Sequence, residues 1–149
     1  MILISHRGNI EGRRVPFENQ PNYIDTAIAA GYDVEIDVWY EIESGKLYLG
    51  HDKADYQIDI DWLDERSDKL WIHCKNMDSL SYFNKINTFG PEYNYFSHDK
   101  DMGVLTSYGY IWSTNLYDNG ILVLPEVFEK TPIETTIGIC SDIIQNYKK

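Results

Sequence analysis

The chain has 149 residues, 43% of them apolar and 14% aromatic, and a formal net charge of −11. That length and composition describe one domain with material for a real core, and exclude a disordered profile. The acidic balance argues against general nucleic-acid or anionic-membrane binding, which needs a basic face; a phosphate-bearing ligand would have to rely on a few local cations or a metal.

In chain order, residues 2–5 form an apolar run that predicts a first strand. Residues 20–31 read as a helix with Tyr23, Ile24, Ala27 and Ile28 on one face and Gly31 as its stop. A second strand is expected over 33–40, and a Ser44-Gly45 turn leads into a hairpin return over 46–50. A short helix follows at 60–68, a strand at 69–74, a helix at 79–86 and a strand at 93–97. Strands at 110–113, 121–124 and 136–140 complete the set. Strands alternating with helices or loops point to a mainly parallel sheet.

Roughly seven parallel strands are expected here, whereas an eight-stranded (β/α) barrel takes about 200 residues or more. Connections such as 115–120 are too short for a full helix. The expected fold is therefore α/β, a reduced or incomplete TIM-like (β/α) barrel of mainly parallel strands. Several outer helices would be replaced by loops, and residues 1–149 would form a single domain. Uncovered strand edges and apolar flanks would favour a homodimer.

The two cysteines, Cys74 and Cys140, each lie in an apolar strand-like segment. They read as buried reduced thiols, with a disulfide between neighbouring strands as the other reading. The first residues lack a basic region followed by a long apolar stretch, and no segment reaches membrane-spanning length. The expectation is a cytoplasmic protein with no membrane insertion.

All four histidines, His6, His51, His73 and His98, stand where a short apolar run ends. In α/β proteins the carboxyl ends of strands are where sites are built. Between the first two, Val34-Glu35-Ile36-Asp37-Val38 alternates acids with apolar residues, which throws both carboxylates to one strand face. Such a pair suits a hard divalent cation, or equally the wet face of an edge strand. His6-Arg7-Gly8 combines a proton-transfer group, a phosphate fork and a residue that lets backbone approach a ligand. His73-Cys74-Lys75 sets His73 and Lys75 on one face, and His51-Asp52 adds a second acid/base candidate. Glu126 and Asp142 also follow strands, as helpers or as plain surface carboxylates. Trp112 reads as pocket wall or core, and His98 as a mouth residue.

His6-Arg7-Gly8, Glu18-Asn19, Glu35-Ile36-Asp37-Val38 and His51-Asp52, in that order and spacing, resemble the signature of glycerophosphodiester phosphodiesterases. Ile111-Trp112-Ser113-Thr114-Asn115 and Gly138-Ile139-Cys140-Ser141-Asp142 look like that family's last two barrel strands. The resemblance implies a phosphodiesterase-like barrel that hydrolyses a small glycerophosphodiester-like substrate of lipid metabolism. His6 and His51 would be the catalytic acid/base pair. Arg7 and Lys75 would hold phosphate oxygens, and Glu18, Asn19 and Trp112 would contact ligand. The resemblance further implies one divalent ion (Mg, Ca or Mn) on Glu35 and Asp37. The family's third metal-binding glutamate corresponds to His73, which would shift preference towards Mn or Zn if it ligates, or weaken the site if it does not. Direct hydrolysis and closure to a cyclic phosphate both fit. The alternative is a non-catalytic phosphate-ester-binding protein, a pseudoenzyme on the same scaffold. Specificity would lie in the loops over 9–17, 53–58 and 99–108, where Phe17, Tyr56 and Tyr108 could stack on a ligand.

Overall fold

The computed structural model describes residues 1–89 and 92–149. Strand β1 (Ile2–His6) runs into a long loop and helix α1 (Pro21–Ala29), which buries Ile24 and Ala27. Pro21 opens the helix, where its missing N–H costs nothing. Strand β2 (Asp33–Glu41) follows, turning back into β3 (Lys46–Leu49) and then β4 (Tyr56–Ile58). Helix α2 (Ile60–Asp64) is capped by Asp59, whose side chain accepts from the Trp62 N–H at 2.9 Å. Strand β5 (Leu70–Cys74) leads to helix α3 (Met77–Ile86), whose start is set by Asn76 and Ser79 in a reciprocal capping box. Strands β6 (Asn94–Phe96), β7 (Gly103–Leu105), β8 (Ile111–Ser113), β9 (Gly120–Val123) and β10 (Gly138–Ser141) precede a final 3-10 turn, Ile144–Tyr147.

These strands make one ten-stranded sheet. Its parallel part runs β6-β5-β2-β1-β10-β9-β8, with β3, β4 and β7 added antiparallel. The sheet curls into a half-barrel. The loop after β7 reaches β6, where the Ser107 N–H donates to the Tyr95 carbonyl at 2.8 Å. The mixed α/β class and mainly parallel sheet agree with the sequence reading, and no helix lies between β7 and the 3-10 turn.

The alternation in β2 decides the layering. Val34, Ile36 and Val38 face outward into a core shared with Ile24, Leu63 and Phe83 from the three helices. Inside the curl a second core holds Ile4, Trp71, Phe96, Trp112, Ile121, Val123 and Cys140. Cys74 and Cys140 are thus buried in different layers, and both are free thiols. No helix among the described residues is long and apolar enough to cross a membrane.

Three expectations need correction. The helix expected over 60–68 ends at Asp64. Loops 53–58 and 99–108 each contain a strand, β4 and β7, because three residues carry too little alternation to be read. The helix expected from residue 79 begins at Met77, since the cap is Asn76.

Candidate functional site

Register assembles the site. In the parallel ladder His6 stands beside Glu35, and Asp37 beside His73. Alternate residues of β1, β2 and β5 therefore aim His6, Glu35, Asp37, His73 and the following Lys75 at one end of the concave face. Strand β1 pairs with β2 only as far as Glu35, and β3 takes up β2 from Val38, so the hairpin brings His51 in beyond the end of β1. Gly50 makes that return feasible: a Cβ there would fall 1.9 Å from the Lys53 carbonyl oxygen. Gly8, at φ 91°, passes so close to Tyr23 that a Cβ would sit 2.6 Å from its ring.

Asp37 is the hub. Its side chain is fully buried and accepts from Asn19 Nδ2 at 2.9 Å, while Asn19 Oδ1 accepts from the Asp37 N–H at 3.0 Å. His73 Nδ1 lies 3.0 Å from Asp37 Oδ1, with Lys75 Nζ 3.7 Å from the same atom. His51 Nδ1 is 3.5 Å from Oδ2. Arg7 Nε is 2.9 Å from Oδ2, but its angle does not make a hydrogen bond. Burial would raise this carboxyl's pKa, yet the imidazoles of His51 and His73 beside it and the charge of Arg7 hold it well below the ordinary range.

Glu35 shows the opposite balance. Burial and the neighbouring Asp37 push its pKa well above the ordinary value, against the pull of Arg7 and Lys75. Its Oε2 is buried with no hydrogen-bond partner, 3.8 Å from His6 Nε2. Two adjacent carboxyls pushed in opposite directions are a frequent mark of functional sites.

Arg7 occupies the left-handed region, φ 55°, its N–H bonded to the Glu35 carbonyl at 2.9 Å. Its Nη1 donates to Glu18 Oε2 at 3.3 Å, and Nη2 lies 3.5 Å from His51 Nε2. Burial would lower the pKa of this guanidinium; Asp37, Glu35 and Glu18 together raise it. His6 Nδ1 lies 2.8 Å from Asp142 Oδ1, so Nε2 is the nitrogen turned towards Glu35. Asp142 also accepts from Asn9 Nδ2 at 2.8 Å, and its N–H donates to Glu126 Oε1 at 2.8 Å. Burial opposes its ionisation, but the His6 contact lowers its pKa below the usual carboxylate value.

Donor atoms of Glu35, Asp37 and His73 lie within 4.8 Å of one another, so this cluster can hold a metal ion. The chemistry of the donors fits one. His73 faces an acceptor from each ring nitrogen, Asp37 Oδ1 at 3.0 Å from Nδ1 and the His98 carbonyl oxygen at 3.3 Å from Nε2; with the hydrogen on Nε2, the Nδ1 lone pair is turned to the acids. Nδ1 opposite Asp37 Oδ1 calls for a proton or a cation between them, and the unpartnered Glu35 Oε2 is a further waiting donor atom.

No protein-family model, curated protein or solved structure matches this chain.

A cleft of about 430 Å³ gathers His6, Arg7, Glu35, His51, His73 and Lys75, with His98 at its lip and Trp112 in its wall. That volume suits a small ligand. A larger surface groove at Trp39 to Glu43 contains no histidine or cation and has no comparable chemistry. Glu18 and Asn19 lie behind the cleft and act on it through Arg7 and Asp37. Trp112 is both wall and core, its ring 4.7 Å from Phe96 and 5.6 Å from Trp71. The His98 ring lies over His73 at 4.4 Å and 5°. Phe17, Tyr56 and Tyr108 stand outside the cleft: Phe17 leans on Tyr23, Tyr56 belongs to β4, and the Tyr108 hydroxyl donates to the Glu92 carbonyl.

Sequence reasoning overlooked Asn9. Its amide ties Glu18, at 3.0 Å, to Asp142, coupling the loop after β1 to the end of the chain. The only signal was its place directly after His6-Arg7-Gly8.

Proposed function

We propose that this protein is a metal-assisted phosphodiester hydrolase for small glycerophosphodiester-like substrates, on a reduced TIM-like (β/α) scaffold. The observation that carries this reading is the meeting of His6, His51, Arg7, Lys75 and Glu35 in one cleft, with the buried Asp37 directly behind Glu35 and His73. The order of these residues in the sequence, similar to that of glycerophosphodiester phosphodiesterases, supports the same chemistry. The free thiols Cys74 and Cys140 suit a reducing, cytoplasmic compartment.

Arg7 and Lys75 bind the non-bridging phosphate oxygens and oppose the charge that grows on them during attack. His6, with Asp142 on Nδ1, has Nε2 free to take a proton from the attacking water as its oxygen bonds to phosphorus. The bond from phosphorus to the alcohol oxygen breaks, and His51 protonates the departing alkoxide. The products are a phosphomonoester and an alcohol, and proton exchange with solvent resets both histidines. A divalent ion held by Glu35, Asp37 and His73 would add Lewis-acid stabilisation of the same charge. An imidazole in the ligand set favours Mn²⁺ or Zn²⁺ over Mg²⁺ or Ca²⁺.

A second reading is a phosphate-ester-binding protein without turnover. The observation in its favour is the crowding of Asp37 by Arg7, Asn19 and His73, which leaves few lone pairs for an ion. One experiment separates the two: hydrolysis of an aryl phosphodiester and a glycerophosphodiester panel with EDTA, Mg²⁺, Ca²⁺, Mn²⁺ or Zn²⁺, beside His6→Ala. Metal-dependent turnover lost in the variant supports the enzyme; silence from folded protein that still binds phosphate esters supports the binder.

A further inference from the structure

The cleft has two unlike walls. The ends of β1, β2 and β5 and the turn after β3 supply six of its ionisable groups and the loop after β6 adds His98 and Asp99, whereas β8, β9 and the loops that follow them supply Trp112, Val123, Leu124 and Phe128, with Thr114 as the polar exception on that side. Trp112 and Val123 are almost wholly buried and serve the inner core in any case. Leu124 and Phe128 are different. Phe128 is 46% exposed, a large apolar ring at the lip that folding alone leaves uncovered.

Leu124 adopts φ 49°, a left-handed conformation in which glycine or asparagine sits with less strain and leucine is rare. Its N–H is pinned to the Cys140 carbonyl at 2.7 Å. Its own carbonyl accepts from the N–H groups of Val127 and Phe128, at 3.0 and 3.2 Å. The strained residue thus turns the chain so that Leu124 and Phe128 both line the cleft. Arg7, at φ 55°, shows that the charged wall also contains a left-handed residue. An observed backbone outlier of this kind is a pointer to function.

We infer that the cleft takes a phosphodiester with one apolar ester substituent, an alkyl or aryl group of a few carbons that lies against Leu124 and Phe128 while the phosphate meets Arg7 and Lys75. This deepens, and rests on, the phosphodiesterase reading. Each methylene taken fully out of water raises kcat/KM by up to roughly fourfold. A polyol such as glycerol in that position gains nothing, because its hydroxyls would lose water against a wall whose only polar side chain is Thr114.

The test is a series of glycerophosphate esters of methanol, butanol, hexanol, benzyl alcohol and glycerol, followed by phosphorus NMR in the metal that supports turnover. The expected result is a hexyl or benzyl ester at least about tenfold better in kcat/KM than the methyl ester, with the glyceryl ester no better than methyl. Leu124→Asn, which suits the backbone, and Phe128→Ala, at an exposed site, should each compress the hexyl-to-methyl ratio, with thermal melts run alongside. A flat series, or a ratio untouched in both folded variants, overturns the inference and leaves the phosphodiesterase reading standing. No turnover of any ester by folded protein in any metal sinks both.

Discussion

The two halves of the curled sheet contrast in what supports them. On one side β1, β2 and β5 hold His6, Glu35, Asp37 and His73, with Asp142 reaching His6 from the end of β10, and helices α1, α2 and α3 pack the outer face through Ile24, Leu63 and Phe83. On the other, β8, β9 and β10 are joined by loops without helices and present an apolar inner wall. Holding Glu35 and Asp37 side by side out of water is costly and needs stiff backing, since a buried charge is tolerated only where its partners cannot drift. An apolar wall has no such demand. Chain length has been spent where electrostatics required rigidity, and loops suffice elsewhere.

The largest effect should come from the charged half. Under the proposed hydrolase function, His6→Ala is expected to lower phosphodiester turnover by about 10²- to 10⁴-fold with the fold intact, as kinetics beside a thermal melt would reveal. Second, removing helix backing should cost far more stability than trimming the loop-joined half. Phe83→Ala, fully buried, should destabilise by about 3–5 kcal/mol, against about 0.5 kcal/mol for Ile111→Ala, whose side chain is 36% exposed. Denaturant titration compares them directly, and equal costs would dissolve the contrast.

Third, Glu35→Gln should stabilise the metal-free protein near neutral pH. Because the folded carboxyl's pKa is raised, the stability it contributes is fully present below its unfolded value of about 4.3 and is lost as pH rises through the folded value. Melting curves in EDTA should show the variant above wild type at pH 7, with the gap closing as pH falls towards about 4. A gap that widens in acid would contradict the direction of this shift. The smallest effect is one of preference: His73→Glu should move metal-dependent thermal stabilisation from Mn²⁺ towards Mg²⁺ or Ca²⁺. Unchanged preference would mean that His73 is not a ligand.

Much of the charged half was legible in the sequence because it is local. Glu35 and Asp37, or His73 and Lys75, share a face by the two-residue period of a strand, and each histidine follows an apolar run that marks its strand. Asn9 was not legible, because its importance lies in contacts to Glu18 and Asp142, the latter at the far end of the chain. Strands β4 and β7 escaped for another reason: three residues do not make a pattern. The aromatics Phe17, Tyr56 and Tyr108 looked like ligand contacts and stand elsewhere, since a loop's sequence says little about where its side chains point.

Local pattern, then, was enough to give the α/β class and the mainly parallel strands, and to single out Glu35, Asp37, His73 and Lys75 by their alternation and His6, Arg7 and His51 by their place after an apolar run. Tertiary structure alone decided that Asp142 meets His6, that Asp37 is the hub of that set, that Leu124 turns left-handed, and that the cleft has one charged and one apolar wall. The division follows from range: side-chain alternation is written residue by residue, whereas register between distant strands and the desolvation it imposes exist only once the sheet has curled.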